Sequence, residues 1–144
     1  GLMWEGKTDD GGLRDKDHTY TWYNPDSNTN GGSAGTENGG TCVDSSNCDT
    51  EKYVAAVNSA GLCGHSDWRL PTPAELLSIV DNSTAKPAVD TGYFPNMAAT
   101  SYYWSASPGA NNLDIAWLVS FYDGVVRDHK KDETSGVRLV RGEQ

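Results

Sequence analysis

Long apolar stretches are missing from this sequence of 144 residues, of which 36% are hydrophobic. No run approaches the roughly 18 to 20 consecutive apolar residues that a transmembrane helix requires, so we expect no direct membrane insertion. Positive charge is also scarce, because 11 Lys and Arg residues face 20 Asp and Glu residues and give a net charge of -9. So acidic a chain would be repelled by a phosphate backbone, and we expect no nucleic-acid partner.

Catalytic signatures are absent as well. The sequence contains no G-x-S-x-G, no H-E-x-x-H and no glycine-rich phosphate loop that opens a helix. Its three histidines, His18, His65 and His129, are scattered along the chain and are interpreted as surface or hydrogen-bonding residues. The sequence therefore predicts a protein that is not an enzyme.

Turn-forming and aromatic residues are what the chain has in quantity. Its 16 Gly and 6 Pro residues indicate many turns and loops and argue against a helical bundle. Aromatic residues make up 10% of the chain, which argues against disorder throughout. The length suits a single domain over residues 1–144. Because the chain does not begin with Met, we expect it to be the C-terminal part of a longer exported protein.

Three cysteines, Cys42, Cys48 and Cys63, are close together in the sequence. They suit one disulfide and one leftover thiol in an exported protein, whereas zinc is disfavoured because no C-x2-C pair is present. A helix over about residues 50–60, rising ~1.5 Å per residue, would keep Cys48 and Cys63 too far apart to bond. Cys42 is therefore expected to bond either Cys48 or Cys63.

Two helices are predicted in the middle of the chain. The first begins after Asp49, which can cap it, and ends at Gly61. The second begins at Thr72, where a capping box with Glu75 is combined with proline at the first helical position. The apolar spacing that follows predicts an end near Asp81.

Strands are predicted at both ends of the chain. Short aromatic strands are expected over residues 2–4 and 20–23, and a period of two predicts strands over residues 102–107, 115–122, 125–129 and 136–141. Asp123-Gly124 is a strong hairpin turn signal. One face of the long strand 115–122 should be core and the other partly open. Two helices followed by a C-terminal antiparallel meander predict an α+β domain.

Two groups of side chains carry oxygen atoms that could bind a metal ion. The acidic group is interpreted as a solvated turn, since it lacks the alternating spacing of a calcium loop; it comprises Asp9, Asp10, Asp15 and Asp17. In the C-terminal half, the group that comes closest to a metal-binding cluster of oxygen atoms comprises Asn111, Asn112 and Asp114. We predict no metal centre and no cofactor, with a structural calcium ion as the one option left open.

The charge is unevenly distributed. Residues 127–141 contain five cations and three carboxylates, a net charge of +2, which leaves -11 for the rest of the chain. This segment is either a solvated hairpin of interleaved signs or a local patch that prefers anions. Scaffold ion pairs are expected for Arg69, Arg138 and Arg141. Core positions are expected for Trp68, Trp104 and Trp117.

Several motifs together resemble the Lcl C-terminal domain family, and the resemblance covers essentially the whole chain. The motifs are Gly1-Leu2-Met3-Trp4-Glu5, Asn58 followed by Cys63-Gly64, Asp67-Trp68-Arg69-Leu70-Pro71-Thr72 with Glu75-Leu76, Tyr103-Trp104-Ser105, Ala116-Trp117 and Val137-Arg138-Leu139-Val140-Arg141.

The resemblance implies a C-type-lectin-like fold, shared with the formylglycine-generating enzymes, on exported or surface-anchored bacterial proteins that serve adhesion or glycan binding. Similar sequences are variable proteins of diversity-generating retroelements, which bind different targets through a diversified C-terminal segment. The enzymes of this fold need reactive cysteines in a cleft, which the positions of the three thiols do not suit. The calcium-dependent sugar motifs of true C-type lectins, Glu-Pro-Asn and Gln-Pro-Asp, are absent as well.

We therefore expect a ligand-binding surface on the C-terminal hairpin of a bacterial surface protein, or of a phage particle. Its expected residues are Tyr103, Trp104, Ile115, Ser120, Tyr122, Asp123, Val125, Arg127, Asp128, His129, Lys130 and Asp132. The partner would be a protein or a glycan on another cell or host surface. The alternatives are an adhesin for anionic glycans and a structural cap that forms a homotrimer.

Overall fold

The computed structural model describes residues 1–97 and 102–142. In these residues the chain forms two α-helices, one 3-10 turn and five strands, which confirms the predicted mixed α+β composition. In chain order the elements are β1 (Leu2–Trp4), α1 (Thr50–Ala60), the 3-10 turn (Leu62–Gly64), α2 (Pro73–Leu77), β2 (Tyr102–Pro108), β3 (Ile115–Ser120), β4 (Val125–Lys130) and β5 (Val140–Gly142). None of the described helices has the length and apolar character needed to cross a membrane.

Helix α1 has the predicted ends. The Asp49 carboxylate accepts the amide of Lys52 at 2.8 Å, and Gly61 ends the helix with a left-handed φ of 67°. Helix α2 begins at the predicted capping box, but the prediction that it continues to Asp81 is wrong. It ends at Leu77 because the chain turns there, and the amide of Asp81 bonds the carbonyl of Ala88 instead.

The C-terminal strands divide between two sheets. Strands β2, β3 and β4 form an antiparallel sheet in that order, whereas β5 pairs antiparallel with β1, so that Leu2 lies opposite Gly142. The predicted strand over residues 136–141 is therefore wrong in extent and in partner. The reason is that the amide of Glu5 donates to the carbonyl of Leu139, so this segment pairs with the first strand. Residues 20–23 form isolated bridges rather than a strand.

Both faces of the three-stranded sheet carry a core, which corrects the expectation of one open face. The first core packs the sheet against α1 and comprises Tyr20, Trp22, Cys48, Tyr53, Val57, Trp68, Trp104, Ala116, Leu118, Val137 and Leu139. The second packs it against α2 and comprises Leu76, Val89, Tyr103, Val119 and Phe121. Trp68 and Trp104 are buried as predicted, whereas Trp117 is only partly buried.

The disulfide joins Cys42 to Cys48, and Cys63 is an exposed free thiol. The structure thereby decides between the two pairings left open by the sequence. The loop before the disulfide folds back on itself, because Tyr23 pairs with Gly35. A Cβ atom at Gly35 would lie 2.2 Å from the carbonyl oxygen of Trp22, so this close approach requires glycine.

Two of the three expected arginine ion pairs are present. Arg69 pairs with Glu75 at 2.8 Å, and Arg141 pairs with Asp67 at 2.6 Å. Arg138 does not form the expected ion pair. It is buried and donates to the backbone carbonyls of Glu5 at 2.7 Å and Asn96 at 2.9 Å. Its guanidinium therefore joins the first strand to the segment before β2 through the backbone.

Candidate binding surface

Most residues of the expected binding surface are exposed on the β3–β4 hairpin or just beyond it. The exposed ones are Tyr122, Asp123, Val125, Arg127, Asp128, Lys130 and Asp132, and the partly buried ones are Ile115 and His129. Because the two strands pair along their whole length and rest on two cores, this set of side chains is presented by a fixed backbone.

Three of the expected surface residues are buried, which corrects their assignment. Tyr103, Trp104 and Ser120 are each no more than 1% exposed. Tyr103 lies opposite Val119 and its ring packs on Phe121 in the second core, at 5.6 Å between ring centroids. The indole nitrogen of Trp104 donates to the carbonyl of Tyr20 at 2.8 Å in the first core. These residues support the hairpin from inside and do not form its rim.

A four-residue turn forms the tip of the hairpin. Ser120 pairs with Val125, the amide of Gly124 donates to the Ser120 carbonyl at 2.7 Å, and Gly124 has a φ of 77°, which glycine adopts freely. The Arg127 guanidinium lies 2.5 Å from the carboxylate of Asp123. Its hydrogen bond lowers the pKa of that carboxyl group, so the tip carries an internal ion pair.

A second chain segment supports the tip from outside the C-terminal region. The amide of Ala88 donates to the carbonyl of Phe121 at 2.6 Å, and the amide of Lys86 donates to that of Tyr122 at 3.1 Å. This contact is not predictable from the sequence, because nothing in the pattern of residues 81–88 connects them with a hairpin more than thirty positions later.

Tyr102 of β2 and Trp117 of β3 lie beside β4 and are two aromatic residues that were not predicted to belong to the binding surface. Tyr102 lies edge-on to His129 with ring centroids 5.3 Å apart, and Nδ1 of His129 is 3.3 Å from Glu133. Two shallow depressions meet at this pair. One is lined by Tyr102, His129, Asp132, Glu133 and Thr134, and the other by Tyr102, Trp117, Val126, Arg127, Asp128 and His129. The sequence alone does not distinguish Tyr102, which is partly exposed, from Tyr103 and Trp104, which are buried.

The five cations of residues 127–141 do not form a basic patch. Lys131 and Arg138 are buried, while Arg127 and Arg141 pair with Asp123 and Asp67. Within the described part of the chain, Lys130 alone of the five is exposed without an ion pair. Of the two alternatives for this segment, the structure favours interleaved signs over an anion-preferring patch.

Lys131 fixes the long loop to the end of β4. Its ammonium donates to the carbonyls of Asn30 at 3.1 Å and Ser33 at 2.7 Å, and it lies 4.7 Å from the centre of the Trp22 ring. Burial lowers the pKa of this lysine. A polar cleft of about 390 Å3 opens beside it, lined by Ser33, Gly35, Thr36, Asp114, Lys130, Lys131 and Asp132.

One acidic group has carboxylates close enough to share a cation. Oxygen atoms of Asp9, Asp15 and Asp17 lie within 4.8 Å of one another. The Lys16 ammonium lies 3.0 Å from Asp17 and 4.0 Å from Asp9, so a positive charge of the chain is already beside them. Asp15 is buried, contrary to a fully solvated turn, and the amides of Asp17 and Gly11 lower the pKa of its carboxyl group.

The other oxygen cluster forms the turn before β3. All three of its side chains, those of Asn111, Asn112 and Asp114, are exposed. The side-chain oxygen of Asn112 accepts the amide of Asp114 at 2.9 Å, so this oxygen is used by the turn itself.

Comparison with known proteins gives one family. The model of the family described as "Lcl C-terminal domain" matches residues 1–141. No curated protein matches the chain significantly.

Proposed function

The chain belongs to the Lcl C-terminal domain family, and from this premise we propose that it is a non-enzymatic ligand-binding domain of a bacterial surface protein. In this proposal the scaffold is C-type-lectin-like and the β3–β4 hairpin binds a protein target. The domain would then act as a variable protein of a diversity-generating retroelement, whose hairpin residues differ between copies.

One observation carries the proposal. Seven side chains of mixed chemistry are exposed on or beside one hairpin, while its strand β3 is held between two cores. A preformed backbone loses little conformational entropy when it binds, and Tyr and Arg are among the residue types that dominate the binding energy of protein interfaces. The arrangement therefore suits a surface that changes its target by changing side chains.

The remaining parts of the proposal have weaker support. The Cys42–Cys48 disulfide is typical of exported proteins. One ionisable cluster, formed by Glu5, Lys7 and Tyr53, is buried and bonded internally, which suits a structural role better than a catalytic one. The helices and antiparallel sheets are compatible with a lectin-like scaffold.

Parallel screens of the purified domain on an array of extracellular proteins and on a glycan array test the proposal. We expect a protein hit that the double variant Tyr122→Ala, Arg127→Ala loses while it remains folded. Glu51→Gln is the matched control, because Glu51 is exposed on α1, away from the hairpin. A hit that survives the double variant would contradict the proposal.

The two alternatives are other outcomes of the same screens. Anionic-glycan binding would weaken steeply with salt and would be lost in Lys130→Glu. A homotrimer that binds nothing would indicate a structural cap. The glycan array should be run with and without calcium, because calcium dependence would reopen the question of a metal site.

A further inference from the structure

The hairpin tip is one half of a composite surface, and a loop distant in sequence is the other half. We call residues 81–88 the bracing loop. Besides its two backbone hydrogen bonds to the tip, it approaches Gly124 so closely that a Cβ atom there would lie 3.4 Å from Asn82 and 3.7 Å from Ala88. Residues 82–86 are all exposed, so the loop contributes surface as well as support.

Lys86 places a positive charge on the aromatic ring of the tip. Its ammonium lies 5.0 Å from the centre of the Tyr122 ring, a favourable cation–π geometry. Its backbone has a φ of 57°, in the left-handed region that glycine adopts freely and lysine rarely does. A residue in such a conformation is a reason to look for function in its side chain.

Lys86 also places beside the tip a positive charge that no carboxylate of the described residues neutralises. Arg127 is paired with Asp123, whereas no ion pair of residues 1–97 and 102–142 includes Lys86. Tyr122, which Lys86 contacts, is 50% exposed, and Val125, which begins β4 directly after the tip, is 45% exposed. The tip therefore presents one available cation next to two large side chains with apolar surface.

We propose that the bracing loop belongs to the binding surface and that its partner is a protein epitope that sets a carboxylate against Lys86 and apolar side chains against Tyr122 and Val125. This inference rests on the proposed function and names the partner's chemistry. An anionic glycan would find one available cation here and little use for the exposed apolar area. A second copy of this chain is a poorer fit, because two molecules of net charge -9 repel each other.

A synthetic single-domain antibody library tests the inference with a defined probe. Its diversified positions should encode acidic and basic residues equally often. Clones are selected on the full chain and depleted on Tyr122→Ala, so that the survivors bind the tip. We expect these clones to be enriched in Asp and Glu relative to the unselected library.

Variants of Lys86 separate its charge from its backbone. Lys86→Gly removes the side chain and suits the left-handed backbone, so the melting temperature should be essentially unchanged while the clones bind about tenfold more weakly. Lys86→Met keeps the aliphatic stem and should lose the same affinity if the carboxylate contact matters. Lys16→Met is the matched control, a partly exposed lysine outside the hairpin and the bracing loop, and should be neutral.

The outcomes distinguish a failure of the bracing-loop inference from a failure of the proposed function. If clones that depend on Tyr122 bind Lys86→Gly and Lys86→Met as tightly as the parent, or lack an acidic bias, the inference about the bracing loop is overturned and the proposed function stands. If the library yields no clone that depends on Tyr122, the hairpin itself is a poor binding surface and both proposals fail.

Discussion

The same kinds of charged side chain behave differently in two regions of this molecule. In the interior, the carboxylate of Glu5 lies 3.2 Å from the ammonium of Lys7, and burial lowers the pKa of that lysine. At the hairpin tip, Asp123 and Arg127 form a comparable pair in contact with water. When a buried charge is removed, its former hydrogen-bond partners stay unsatisfied because water does not reach them. When a surface charge is removed, water takes its place. Burial, more than residue type, therefore separates charges that stabilise the fold from charges available to a partner.

The comparison is most easily broken at Arg138, where we expect the largest effect. Arg138→Met would leave the carbonyls of Glu5 and Asn96 without their donor and cost about 3 kcal/mol of unfolding free energy. Urea unfolding measures it. Arg127→Met, the matched surface variant, should cost less than about 0.5 kcal/mol. Equal losses for the two arginines would mean that burial does not separate the two regions.

Acid titration sharpens the comparison at Glu75, which is buried against Arg69. The hydrogen bond from Arg69 lowers the pKa of Glu75 to about 2. Because the folded pKa lies below the unfolded value of about 4.3, the stability it provides is complete above that pH and is lost as the pH falls toward 2. Glu75→Gln should therefore cost about 2 kcal/mol at neutral pH and little at pH 2.

Unfolding curves at a series of pH values measure this difference. The curves of the parent and of Glu75→Gln should converge as the pH falls. Asp123→Asn is the control from the tip, and its curve should stay close to that of the parent throughout. A constant gap between parent and Glu75→Gln would show that the carboxylate's charge is not what stabilises α2.

Lys131 and Lys130 are neighbours that belong to different regions, which makes them the closest test of the comparison. Lys131→Met removes two donors to the long loop and should cost about 1 to 2 kcal/mol, with faster amide hydrogen exchange in residues 24–36. Lys130→Met should change neither quantity measurably. Identical exchange in the two variants would place Lys131 with the surface residues.

The smallest effect on stability is expected at the tip itself. Tyr122→Ala and Arg127→Ala should each leave the free energy of unfolding within about 0.5 kcal/mol of the parent. Binding, in contrast, should weaken at least about tenfold in each variant, measured against the protein found in the array. A loss of stability as large as that of Lys131→Met would instead assign the tip to the scaffold.

Local signals in the sequence predicted the elements whose causes are local. Asp49 and Gly61 defined α1, and the Asp123-Gly124 pair located the hairpin, because capping and turn formation depend on neighbouring residues. Thr72 likewise marked the start of α2. The predicted end of α2 was wrong, because the amide of Asp81 bonds the carbonyl of Ala88, eleven positions beyond Leu77, instead of continuing the helix.

Contacts between distant residues explain what the sequence could not supply. The pairing of β5 with β1 depends on Glu5 and Leu139, which are far apart in the chain. For the same reason the sequence did not predict the contact of Lys86 with the hairpin tip or the burial of Lys131. A period of two identifies alternate residues of a strand, but it cannot tell that both faces are covered, which is why Tyr103 was misassigned.

The pairing of β1 with β5 also decides how the domain would respond to mechanical load. Leu2 lies opposite Gly142 and Trp4 opposite Val140, so the two ends of the described chain leave from the same end of this pair. Tension applied between them would open the pair one rung at a time, from Leu2 inward. Tension between Leu2 and a ligand on the hairpin would instead pass along β1 to Glu5, where the contacts with Leu139 and Arg138 would have to break together. The direction of pulling, more than the number of contacts, would set the force at which the domain gives way.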